Sequence, residues 1–144
     1  MTLLLRLVDW FADRIPMVGW RVVALTLGAG IVWMGNRPRS ELASIGGLPA
    51  GFDKVMHFTA FALFAAAIWR GLYPRIARRA PAIPHAWLLV ILIPFLTGAL
   101  DEFLQGFTPG RSRDVRDLAA DTLGAICVCA LGLWYRARAA GPRA

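Results

Sequence analysis

The side chains best suited to chemistry are concentrated in one segment, DEFLQGFTPGRSRDVRDLAAD, which runs from Asp101 to Asp121 between two apolar stretches. Carboxyl groups shielded from water can take pKa values suited to general acid and base catalysis. Arginines beside the start of a helix suit a phosphate or carboxylate, because the backbone N–H groups there are unpaired and the helix dipole is positive. The segment therefore suggests proton transfer or anion binding.

Three sets of polar side chains have the spacing of a shared helix face. They are Asp53 with His57, Asp101 and Glu102 with Gln105, and Asp114 with Asp117 and Asp121. If the last set is helical, Asp121 lies roughly 10 Å further along the helix than Asp114.

The composition indicates which elements must position these groups. Of the 144 residues, 58% are hydrophobic and 17% are charged, and the mean hydropathy of +0.55 is high for a soluble domain. Four segments are apolar over the length that a helix needs to cross a bilayer: about 17–34, 55–73, 83–101 and 117–135. We therefore predict an all-α, polytopic membrane protein, a single domain over 1–144 with four transmembrane helices in an up-and-down bundle.

Two further features concern individual helices. Residues 2–15 place charged and apolar side chains on opposite sides of a helix that Pro16 ends, which predicts an N-terminal amphipathic helix lying in the membrane interface. We expect Pro94 to kink the third span. Close approach between helices is expected at four glycines, namely Gly28, Gly30, Gly124 and Gly132.

The arginines predict the orientation, because short cytoplasmic loops are enriched in Lys and Arg. The linker between the second and third spans is basic and has no acid, so it should face the cytoplasm with both termini. We expect the inner (cytoplasmic) membrane as the location, with seven of the nine acids on the outer side. A basic side that faces anionic lipid accounts for a pI near 11.0 without a nucleic-acid partner.

Short connections should bring the outer ends of spans two, three and four together. An ionisable group inside the membrane costs several kcal/mol unless it is paired or hydrated. His57 and Asp121 need such a partner most. The three polar sets should therefore converge on one cluster.

Three motifs carry a resemblance to a known family. They are DKVMHFTAF from Asp53, DEFLQGFTPGRSRDVRD from Asp101, and LAADTLGA from Leu118. Their combination resembles the VanZ-like membrane proteins, named after a teicoplanin resistance protein, although that family more often has Asn where this chain has Asp121. The resemblance implies action at the outer membrane surface or cell wall and lowered susceptibility to lipid-anchored glycopeptides. It implies no settled reaction.

The leading functional hypothesis is recognition of an anionic lipid or a cell-envelope precursor, with membrane lipids or a lipoglycopeptide as possible partners. Its candidate ligand-binding residues are Asp53, Lys54, His57, Glu102, Gln105, Arg111, Arg113, Asp114, Asp117 and Asp121.

Other interpretations of the same residues stay open. A membrane-embedded hydrolase or transferase would use His57, Glu102 and Asp101 as acid and base groups, although no G-x-S-x-G or H-E-x-x-H motif supports it. A small proton-coupled transporter is a third hypothesis. In a purely structural interpretation, Arg111 and Arg113 pair with nearby acids, namely Asp114, Asp117, Glu102 or Asp101. His57 then donates to Asp101, Glu102 or Asp121. One histidine with several carboxylates could hold a divalent cation, but the spacing matches no recognised metal motif, so the expectation is no metal and no cofactor.

Overall fold

A computed structural model of the protein describes residues 14–38, 40–41, 51–73 and 85–139. This part of the chain contains four long helices and no strand: α1 (Met17–Gly35), α2 (Phe52–Leu72), α3 (Ala86–Gln105) and α4 (Val115–Ala139). All four are long and apolar enough to cross a membrane. The prediction of an all-α, four-span protein is confirmed. The interfacial helix expected over 2–15 lies almost entirely outside the described residues, as do the arginines in the linker over 74–84.

The helix boundaries differ from the predicted spans at the ends that carry polar residues. Helix α2 begins at Phe52 because Gly51 turns the chain with a φ of 83° and Asp53 lies in the first turn, where the dipole favours an acid. Helix α3 continues to Gln105. The spans predicted from hydropathy end before these polar turns, but the turns are helical in the structure. Lys54 and Gln105 consequently project from rigid helices.

Helices α2 and α3 form the centre of the bundle. Each of them packs against α1 and against α4, whereas α1 and α4 do not contact each other. The directions alternate: Nε of Arg21, near the start of α1, donates to the carbonyl of Gly71 at the end of α2, with a distance of 3.2 Å. The up-and-down arrangement is therefore confirmed.

The buried core lies mainly between α2 and its neighbours. Its fully enclosed residues include Phe61 and Ala65 of α2, Val90 of α3 and Ala125 of α4. Pro94 is also buried, and α3 continues on both sides of it. These apolar contacts fix the relative heights of the helices, and thereby the positions of the polar residues at one end.

Three of the four glycines lie where helices approach closely. A Cβ at Gly28 would lie 3.0 Å from the Phe64 ring, and one at Gly124 would collide with the backbone carbonyl of Phe58. Gly132 lies against the Trp69 ring. The prediction is wrong for Gly30: a Cβ added there would have no described atom within 4 Å, because this side of α1 faces away from the other helices.

Charge separates the two ends of the bundle. One end holds the C-termini of α1 and α3 and the N-termini of α2 and α4, and we call it the polar end. The opposite end is basic: the guanidinium of Arg136 lies 4.7 Å from the centre of the Tyr73 ring. Arg21, near the start of α1, and Arg70, in the last turn of α2, lie at the same end.

Candidate functional site at the polar end of the bundle

Polar side chains of α2, α3 and α4, of the residue that follows α1, and of the α3–α4 connection meet at the polar end. We call this set the polar cluster: Asn36, Lys54, His57, Asp101, Glu102, Gln105, Asp114, Asp117 and Asp121.

Lys54 connects α2 to the beginning of α4. Its Nζ donates to Asp53 at 2.9 Å, to Asp114 at 2.8 Å and also to Asp117. The hydrogen bond from Lys54 holds the pKa of the Asp114 carboxyl below its usual value. One lysine therefore pairs with two of the three acids in the stripe predicted for α4. Asp53 is at the rim, because 58% of its side chain is exposed.

Asp114 begins α4 in the manner of an N-cap residue. Its Oδ1 accepts a 2.8 Å hydrogen bond from the backbone N–H of Arg116, which would otherwise be unpaired in the first turn. Its own backbone N–H donates to Oε2 of Glu102 at 2.6 Å. Glu102 thereby fixes the start of α4 against the end of α3.

His57 and Asp121 form the deeper part of the cluster. Nδ1 of His57 lies 2.9 Å from Oδ1 of Asp121, and Nε2 lies 3.9 Å from Asp117. Asp121 is one of the three partners predicted for His57. The other carboxylate oxygen of Asp121 lies over Gly98 of α3, where a Cβ would be only 2.7 Å away. A glycine at this position lets the acid lie against α3.

Asp101 joins the ends of α1 and α3. It accepts 2.8 Å hydrogen bonds from Nδ2 of Asn36 on one oxygen and from Nε2 of Gln105 on the other. The hydroxyl of Thr108 donates a 3.4 Å hydrogen bond to Oδ1 of Asn36. Asn36 was not among the predicted site residues, because it follows α1 outside the three motifs. The signal that could have identified Asn36 is its position as a polar amide directly after an apolar span.

Within the described ranges, the two arginines before α4 do not pair with acids. The Nε of Arg111 is buried and has no hydrogen-bond partner among the residues that the structure describes. Arg113 donates to the carbonyl of Phe103 at 3.3 Å, and its guanidinium lies 5.2 Å and 5.5 Å from the ring centres of Phe103 and Phe107. The ion pairs with neighbouring acids that were one interpretation of these arginines are not formed in the part of the chain that the structure describes.

Two carboxylate oxygens in the cluster share this lack of partners. They are Oε1 of Glu102 and Oδ2 of Asp121, both enclosed and without a hydrogen bond to any described residue. A buried polar atom left unpaired costs about 1–3 kcal/mol, and more if it is charged. Among the described residues, these two oxygens and Nε of Arg111 are the buried side-chain polar atoms that lack a hydrogen bond.

The arrangement can hold a proton between His57 and Asp121, and it can receive an anion at the two arginines. No group of three His, Cys, Asp or Glu side chains that could hold a metal ion occurs among the described residues.

Four apolar helices with a polar cluster at one end define a multi-pass membrane protein. The family model described as VanZ/LLP1 matches residues 8–136, which is nearly the whole chain, and the chain belongs to this family. The resemblance seen in the three motifs is thus confirmed. No curated protein and no solved structure matches the chain.

Proposed function

We propose that this VanZ/LLP1-family protein binds the anionic group of a membrane lipid or of a cell-envelope precursor at its polar end. Through that ligand it affects envelope properties or susceptibility to teicoplanin-type glycopeptides. The basic residues at the opposite end support an orientation in the cytoplasmic membrane with both termini inside and the polar end outside.

The observation that carries the proposal is the unneutralised charge of Arg111 and Arg113. Both lie just before the N-terminus of α4, and neither forms an ion pair with a described acid. Lys54, by contrast, is fully engaged with carboxylates. Guanidinium groups beside a helix N-terminus favour phosphate or carboxylate.

The apolar surroundings of Arg113 support a ligand at the membrane boundary. Phe103, Phe107 and Val115 are 54%, 70% and 77% exposed. Exposed aromatic and aliphatic groups around a cation suit the level at which lipid headgroups meet acyl chains.

Binding of phosphatidylglycerol to the purified full chain in detergent, followed by native mass spectrometry, tests the proposal. Arg111→Ala should weaken binding about tenfold, the expected effect of losing one hydrogen bond to a charged group. Arg116→Ala is the matched control, because it removes an equal charge from an exposed position in the first turn of α4. Equal losses in both variants would mean that only net charge matters, and would contradict the proposal.

One observation favours an enzymatic alternative. The His57 imidazole is oriented by Asp121, as a general base is oriented by a carboxylate, with Glu102 and Asp101 nearby on α3. A hydrolase or transferase acting on a lipid-linked or cell-wall substrate would use these groups. Turnover by the purified protein that disappears in His57→Ala, with phosphatidylglycerol binding retained, would favour this alternative.

A further inference from the structure

Among the described residues, the polar end encloses more acidic side chains than cationic ones. Four carboxyl groups are almost completely shielded from solvent, with 1% exposure for Asp101, 7% for Glu102, 8% for Asp117 and 1% for Asp121. Lys54 is the cation that directly contacts this buried set, and a protonated His57 would be a second. The acids therefore outnumber the cations that the described residues supply. A ligand that brings only negative charge would add to this excess, whereas one that also brings a positive charge would reduce it.

Glu102 is the acid best placed to receive that positive charge. Its Oε2 accepts the Asp114 N–H, and its Oε1 is buried without a partner among the residues described. Asp121 also has an unpartnered oxygen within the described ranges, but this oxygen lies over Gly98, one helical turn before Glu102 and deeper in the bundle. Of these two oxygens, that of Glu102 is nearer to the membrane surface.

The unpaired oxygen of Glu102 is also close to the unneutralised arginines. Glu102 is hydrogen-bonded to the backbone of Asp114, which is three residues after Arg111. Three residues of extended chain span at most roughly 10 Å. The two groups are therefore carried by neighbouring backbone positions, and a headgroup in which a short carbon chain joins a phosphate to an amine has the two charged groups that they would bind.

We propose that the polar end binds an aminophospholipid headgroup, with its phosphate at Arg111 and its primary ammonium group at Oε1 of Glu102. This inference rests on the proposed function and names its ligand class. A primary ammonium offers N–H donors to an enclosed carboxylate oxygen, which a trimethylammonium group lacks. The same chemistry is present in free O-phosphoethanolamine.

The test compares three lipids of identical acyl chains on the purified full chain in detergent: phosphatidylethanolamine, phosphatidylcholine and phosphatidylglycerol. Native mass spectrometry should give about tenfold tighter binding of phosphatidylethanolamine than of phosphatidylcholine, the value of one charge-assisted hydrogen bond. Glu102→Gln should abolish this preference, because the amide removes the charge that an ammonium group would pair with, while its oxygen can still accept the Asp114 N–H. Glu41→Gln, an exposed acid at the same end, is the matched control and should keep the preference.

Equal binding of the ethanolamine and choline lipids by the wild type would overturn the inference, and so would an unchanged preference in Glu102→Gln. If O-phosphoethanolamine displaces phosphatidylethanolamine, the site recognises the ammonium and phosphate groups of a soluble ligand as well as of a lipid. If it does not displace the lipid, the site recognises the headgroup only when it is attached to a lipid. If Arg111→Ala binds every lipid normally while Glu102→Gln loses the preference, the anion site of the proposed function fails and the ammonium site stands. If Arg111→Ala loses phosphatidylglycerol binding and the wild type shows no ethanolamine preference, the ammonium site fails and the anion site stands.

Discussion

Replacing Lys54 by methionine tests whether the polar cluster holds α2 and α4 together. The substitution keeps an unbranched side chain but removes the cation that Asp114 and Asp117 share. Breaking a fully buried ion pair costs about 3–5 kcal/mol. Here the side chains of Lys54 and Asp114 are 30% and 37% exposed, and that of Asp117 is 11% exposed. We expect a loss of about 2 kcal/mol in the free energy of unfolding, because hydration partly compensates the freed carboxylates.

Thermal unfolding in detergent, followed by intrinsic tryptophan fluorescence, measures this loss. For a chain of this size, about 2 kcal/mol corresponds to a decrease in Tm of roughly 8 °C. Arg37→Met is the matched control, because Arg37 and Glu41 form an ion pair whose side chains are 38% and 53% exposed. The control should lose no more than about 1 kcal/mol. Adding Asp117→Asn to Lys54→Met should restore part of the stability. Equal decreases in Tm for both single variants, without such recovery, would refute the reasoning.

Two further substitutions test individual contacts by the same unfolding measurement. Asn36→Ala leaves one oxygen of Asp101 without its donor and should destabilise by about 1–3 kcal/mol; an unchanged Tm would show that water replaces the amide. Gly124→Ala should destabilise by about 1–3 kcal/mol because the new methyl group collides with the backbone of α2, whereas Gly30→Ala should be neutral or slightly stabilising. Similar effects for the two glycines would contradict the packing described for α4.

The sequence predicted the meeting of helix ends because hydropathy and residue spacing are local properties of the chain. Four apolar segments with short connections restrict the topology, and His57 and Asp121 were expected to need a partner inside the membrane. The structure pairs these two side chains at 2.9 Å.

Side-chain partners were harder to predict, because a helix face contains several acids and a long side chain can choose among them. Lys54 reaches three carboxylates at once, which its position next to Asp53 does not reveal. The role of Asn36 depends on α1 ending level with Asp101, a property of packing between residues distant in sequence. Whether Arg111 pairs with an acid likewise depends on the fold of the connection before α4.

The attachment of α1 at both of its ends limits how the protein can fit its bilayer. The hydrogen bond from Arg21 to Gly71 joins one end of α1 to α2, and the hydrogen bond from Asn36 to Asp101 joins the other end to α3. The 19 residues of α1 span roughly 29 Å at the helical rise per residue, close to the hydrocarbon thickness of an average membrane. A helix held at two points cannot tilt by itself to correct hydrophobic mismatch. In a thinner or thicker membrane the lipids around α1 must therefore deform, or the whole bundle must incline as a unit.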